Sequence, residues 1–114
     1  MVTGAAQGLG FAISDRPGQL GAYVILADVQ AEKPQAAVDG LGKQGQNVPG
    51  LPLDITDSAR VTECFEEVSK KNGSPDILVN NAGVGQDVAP IVELDDEQWD
   101  RVLGTTLTRT FSCC

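Results

Sequence analysis

The sequence predicts an α/β fold in which a parallel sheet carries helices on both faces. Short continuous apolar runs rich in β-formers alternate with helical stripes along the chain. Such a run suits a strand covered on both sides, and regular alternation with helices builds βαβ units. A third observation locates a ligand. The stretch "TGAAQGLG", Thr3 to Gly10, lies where the first strand should turn into the first helix.

Only Met1 and Val2 stand before that turn, so the first strand is expected to be nearly absent. The first helix is expected from Gly8 to Leu20, with Leu9, Ala12, Ile13, position 17 and Leu20 as its buried stripe. Pro17 then sits inside the helix on its buried side, where a lost hydrogen bond and a clash cost roughly 3 kcal/mol or more. Residues 23–27, "YVILA", read as the second strand. Residues 31–43 form a second helix, with Pro34 tolerable in its first turn and Gly40 and Gly42 weakening its end. "VPGLPL", 48–53, is a poorer strand. Pro49 and Pro52 are an odd number of positions apart, so it fits as an edge strand or with Pro49 outside it. Residues 57–72 form a third helix, capped by Thr56 or Asp57 and striped by Val61, Cys64, Phe65 and Val68. "DILVN", 76–80, is the fourth strand. A last helix runs from about Asp95 to the end, acidic in its first turn, with Trp99, Val102 and Leu103 inward.

The 114 residues suit one domain with a modest core, uninterrupted by repeat, linker or low-complexity segment. Net charge is -8 and the cations are scattered, which argues against nucleic acid or an anionic membrane as partner. The acidity reads as solubility. Three cysteines without a CxxC pair, and no histidine, leave no expected metal site and point to reduced thiols. "AYVILA" is too short to span a bilayer, and no secretory signal is visible, so a cytoplasmic protein is expected.

In the glycine-rich turn, Gly4 permits the sharp exit from the strand, Gly8 lets backbone approach a ligand, and Gly10 lets the helix pack near the sheet. The helix start favours a pyrophosphate through its N–H groups and dipole. The spacing departs from G-x-G-x-x-G, which from Gly8 would put Ile13 where a small residue is wanted; a plain tight turn reads the same glycines. Asp28, eighteen residues after Gly10, strengthens the ligand reading. A carboxylate at a strand end accepts from both ribose hydroxyls of an adenosine and repels a 2′-phosphate. No Lys or Arg stands beside it, which favours NAD over NADP.

These motifs resemble those of the short-chain dehydrogenase/reductase family, in its Rossmann-like form, across nearly the whole chain. "TGAAQGLG" is similar to the family's TGxxxGxG loop, and "ADV" carries the acidic residue at Asp28. "LDITD" resembles the adenine-contacting segment, "NNAG" the motif after the fourth strand, and "WDRVL" the start of the long helix that also builds the family's dimer interface. The resemblance assigns Gly4, Gln7, Gly8, Leu9, Gly10, Asp28, Asp54, Ile55, Asn81, Ala82 and Gly83 to cofactor binding. Asp54 reads equally as a cap of the following helix. Asn80 reads first as structural, and Asn81 as a cofactor contact.

The resemblance also implies a catalytic Ser, a Tyr with a Lys four residues later, and an Asn on the long helix. Tyr23 is the sole tyrosine, and four residues on stands Ala27. Thr106 occupies the Asn position, and a hydroxyl cannot reproduce an amide's donors and acceptor. Gly104 and Arg109 look out of place in that helix. The expectation is therefore a truncated, partial NAD-binding domain over 1–114, first strand nearly absent and C-terminal half missing. It would bind cofactor and lack the catalytic groups, so the chain alone is expected to be inactive. An alcohol or carbonyl substrate belongs to a full-length form only. A non-catalytic nucleotide-binding or subunit-pairing module, or a degenerate product, stands beside that reading. Homo-oligomerisation through the long helix is open to the chain.

Overall fold

Val2 and Thr3 form a strand of only two residues, yet it lies inside the sheet. In this computed structural model, which describes residues 1–30, 38–39, 41, 48–85 and 88–114, β1 (Val2–Thr3), β2 (Leu26–Asp28) and β3 (Gly50–Pro52) pair in parallel in the order β1-β2-β3. Val2 stands opposite Leu26, and Leu26 opposite Gly50. On the other side of β1, Val79 makes a parallel bridge to Val2. The expected fourth strand is reduced to that bridge. Backbone bonds hold β1 from both sides: Val2 N–H to Ile25 C=O at 2.9 Å, and Thr3 N–H to Val79 C=O at 3.0 Å.

β3 pairs with β2 alone among the described residues, and Pro49 precedes it, as the proline spacing requires. The Leu53 N–H donates to the Asp28 C=O at 2.8 Å, so the neighbouring Pro52 nitrogen faces away from β2.

Alternation along the strands builds two cores. Met1, Ile25 and Ala27 join Val61, Cys64 and Val68 of α2 (Ser58–Asn72) on one face. Val2, Val24 and Leu26 join Leu41 and Val48 on the other, with Phe11 and Ile13 of α1 (Gly8–Gln19) packed against them. Helices thus cover both faces. Most of the helix expected over 31–43 lies outside the described residues; Val38, Asp39 and Leu41 are helical.

The third helix forms as its stripe predicts. The Asp57 carboxylate caps it, accepting from the Ala59 and Arg60 N–H groups at 3.0 and 3.1 Å, so Asp57 rather than Thr56 is the cap.

Two expectations about buried faces are overturned. The buried residues of α1 are Gly10, Ser14 and Gly18, whereas Leu9 and Leu20 are each 71% exposed. Small residues let the helix backbone come close to the sheet, and the Ser14 hydroxyl satisfies itself on the Gly10 C=O at 2.8 Å. Pro17 falls in the last turn on the exposed side, and its own carbonyl accepts from Leu20 and Ala22.

The long helix comprises α3 (Asp96–Leu103), a π-helical turn (Gly104–Thr108) and α4 (Arg109–Ser112). Trp99 and Leu103 are exposed there and Val102 is half-buried. α2 packs on α4 instead of α3, so burial begins only near Cys113. Arg109 has a place after all: its guanidinium donates to the Ser58 hydroxyl at 2.9 Å.

Candidate cofactor site

The turn between β1 and α1 sits at the carboxyl ends of the strands, where parallel α/β sheets take their ligands. Gly4 and Gly8 have φ of 61° and 57°, the left-handed region that favours glycine. A Cβ on Gly4 would also stand 2.8 Å from the Ala82 Cα. Gly10 is required for packing: a Cβ there would meet the Gly4 carbonyl oxygen and come within 2.5 Å of Asn81 Nδ2. The first turn of α1 contains no acidic residue, so nothing in it opposes an anion at the helix start.

Three side chains, from the ends of β1 and β2 and from the loop after Val79, fix this turn. Asp28, 8% exposed at the end of β2, accepts from the Ala6 N–H through Oδ2 and from the Gln30 N–H through Oδ1, both at 3.1 Å. Asn81 Nδ2 donates to the carbonyls of Thr3 and Gly4 at 2.9 and 3.0 Å. The Thr3 hydroxyl accepts from the N–H groups of Asn81 and Ala82, each at 3.1 Å. Thr3 was not singled out from the sequence. Its one signal is a β-branched hydroxyl at the last strand position before a glycine turn.

Asp54 Oδ1 accepts from the Thr56 N–H and hydroxyl at 2.8 and 2.7 Å, an Asx turn rather than a helix cap. Ile55 next to it is buried in the α2-side core. Gly83 faces the long helix, and a Cβ on it would lie 3.4 Å from Thr106 Oγ1. Asn80 donates to Cys114 Sγ at 3.5 Å, away from the turn.

Every residue named above as a candidate cofactor contact lines one cleft of about 480 Å³, from Gly4 through Asp28 and Asp54 to Gly83. Val29, Gln30, Leu53, Thr56, Val84 and Thr105 complete it, and its described lining holds neither Lys nor Arg. Tyr23 lies elsewhere, in a cavity at the amino ends of the strands with Met1 and Ile77. Among the described residues no group of three metal-ligating side chains occurs, and no helix is long and apolar enough to cross a membrane.

A cleft at this place in a parallel sheet is where α/β proteins of this layout take their ligands. The short chain dehydrogenase family matches residues 1–114, and the chain belongs to that family. It is 33% identical over 111 residues to the 5-keto-D-gluconate 5-reductase of Escherichia coli (strain K12), covering 97% of this chain and 43% of that one. A metagenomic short-chain oxidoreductase solved in complex with NADP superposes with a TM-score of 0.90 at 31% identity, over 98% of this chain and 51% of that one. The 3-ketoacyl-(acyl-carrier-protein) reductase of Brucella melitensis, complexed with NADH, gives 0.89 at 28% identity, over 98% and 45%. The chain thus spans about half the length of these relatives, or less, and corresponds to their N-terminal portion.

Proposed function

We propose that this chain forms the NAD-binding part of an oxidoreductase that interconverts an alcohol and a carbonyl compound. The pyrophosphate would rest on the turn from Gly4 to Gly10, the adenosine ribose on Asp28, and the adenine between Asp54 and Ile55. When bound, NAD supplies the hydride acceptor. The chain's own residues bind and orient it. What carries the reading is Asp28, held beside the turn by the Ala6 N–H so that sugar and phosphate contacts fall in one cleft.

The fit favours NAD over NADP. Each Asp28 oxygen takes one backbone bond and keeps capacity for a ribose hydroxyl. A 2′-phosphate would instead bring like charge against a nearly buried carboxylate, with no described cation in the cleft lining to offset it. Nothing within residues 1–114 supplies the proton-transferring Tyr–Lys pair, since Tyr23 faces the far end of the sheet. That placement, with Thr106 where the resemblance implies Asn, favours a second reading: a nucleotide-binding or subunit-pairing module that performs no chemistry on its own.

Calorimetry with NAD, NADP and Asp28→Asn tests the first reading. Saturable NAD binding, weaker NADP binding and a loss on substitution are expected. Absence of any heat at millimolar NAD, with no rise in melting temperature, overturns it.

A further inference from the structure

Past Ala82 the wall of the cleft loses its fastenings. Asn81 and Ala82 are tied to Thr3, but the N–H groups of Gly83, Val84 and Gly85 have no hydrogen-bond partner among the described residues. Gly83 and Val84 nevertheless line the cleft, and Gly83 rests close to Thr106 of the long helix. Two glycines in three residues make this stretch costly to order, so a single tie can set where it lies.

That tie comes from Arg101 of α3. Its guanidinium donates through Nη2 to the Gly85 C=O at 3.3 Å, sixteen residues back along the chain. It is the one hydrogen bond on residues 83–85 among the described residues. Arg101 has a nearer choice. Glu97 stands four residues before it on the same helix, the spacing and order that favour an ion pair. Yet no ion pair joins Arg101 to a carboxylate among the described residues. The guanidinium spans to the loop instead, with a charged donor on a carbonyl, the stronger kind of bond. Arg101 itself does not line the cleft, so whatever it does there it does through the loop.

We propose that Arg101 is a positioning residue for the dinucleotide, an inference that rests on the nucleotide reading above. With adenosine on Asp28 and Asp54 and the pyrophosphate on the glycine turn, the far half of NAD extends toward Gly83, Val84 and Thr105. By holding Gly85 against α3, Arg101 fixes the Gly83–Val84 surface before the cofactor arrives. Binding then loses less free energy to ordering that wall. ADP, which ends at the pyrophosphate, makes no use of it.

The test compares NAD and ADP by calorimetry on the full 114-residue chain. Arg101→Ala should bind NAD about fivefold more weakly and leave ADP unchanged. Retained ADP binding shows that the variant is folded. ADP carries more negative charge than NAD, so mere loss of a distant cation would weaken ADP at least as much. Arg101→Met keeps the stem without the donors and should match Arg101→Ala, whereas Arg101→Lys keeps a donor and should recover part of the affinity. Three results overturn the role of Arg101 alone: NAD affinity unchanged in Arg101→Ala, NAD and ADP weakened equally, or recovery by Met in place of Lys. A wild-type chain that takes up no NAD overturns the nucleotide reading and this inference with it.

Discussion

The carboxylate of Asp28 accepts a hydrogen bond from the Ala6 N–H at 3.1 Å, tying the end of β2 to the turn that leaves β1. One side chain thereby fastens the turn and, in the function proposed above, would also hold the ribose. Its second oxygen holds the Gln30 N–H, so both loops at this end of the sheet depend on it.

Asp28→Asn keeps the size but offers one acceptor where two N–H groups each use one. Urea denaturation should show a loss of about 1–3 kcal/mol. Calorimetry should show NAD affinity falling about tenfold, with the preference over NADP narrowed.

Asn81→Ala leaves the carbonyls of Thr3 and Gly4 without their shared donor. A loss of about 1–3 kcal/mol in chemical denaturation is expected even with no nucleotide present. A residue that only touched cofactor would leave the apo chain's stability unchanged.

The glycines separate packing from conformation. Gly10→Ala drives a methyl into the Gly4 carbonyl and the Asn81 amide, and should cost about 2 kcal/mol or more in urea. Gly104 has helical φ and ψ of -55° and -54° and open space around its missing Cβ. Gly104→Ala should stabilise by about 0.5–1 kcal/mol, read by the same denaturation.

Stability should peak in a narrow pH band. Burial holds the Met1 amine below its ordinary 8.0, and the nearby Asp76 offsets this only in part. Just under that pH the unfolded chain binds the extra proton, so stability rises as pH climbs toward 8.0. Burial pushes the thiols of Cys64 and Cys113 above their ordinary 9.0. Past that pH the unfolded chain releases protons that the folded chain keeps, so stability falls. Urea midpoints across both steps should show a maximum between 8.0 and 9.0. N-terminal acetylation should flatten the lower limb, and Cys64→Ala should reduce the upper one.

Much of this was legible in the chain itself. Period and capping residues placed α2, because Val61, Cys64 and Val68 repeat at helix spacing behind Asp57. Proline spacing limited β3 to an edge strand or one that begins after Pro49, since each proline removes one donor at a known parity, and the strand begins at Gly50. The glycine turn, the acidic strand end and the motifs after β3 and Val79, each legible in the sequence, line one cleft. Those features are local consequences of backbone chemistry, which sequence order carries completely.

Tertiary structure alone decided which face of α1 is buried. Apolar periodicity selected Leu9 and Leu20, whereas Gly10, Ser14 and Gly18 are the buried residues, and at Gly10 a Cβ would run into the Gly4 carbonyl and the Asn81 amide. It likewise decided that Trp99 stays exposed, that Thr3 fastens the loop after Val79, and that two residues serve as an inner strand. Each of these depends on what lies opposite in space, and distance between segments is not written in their order along the chain.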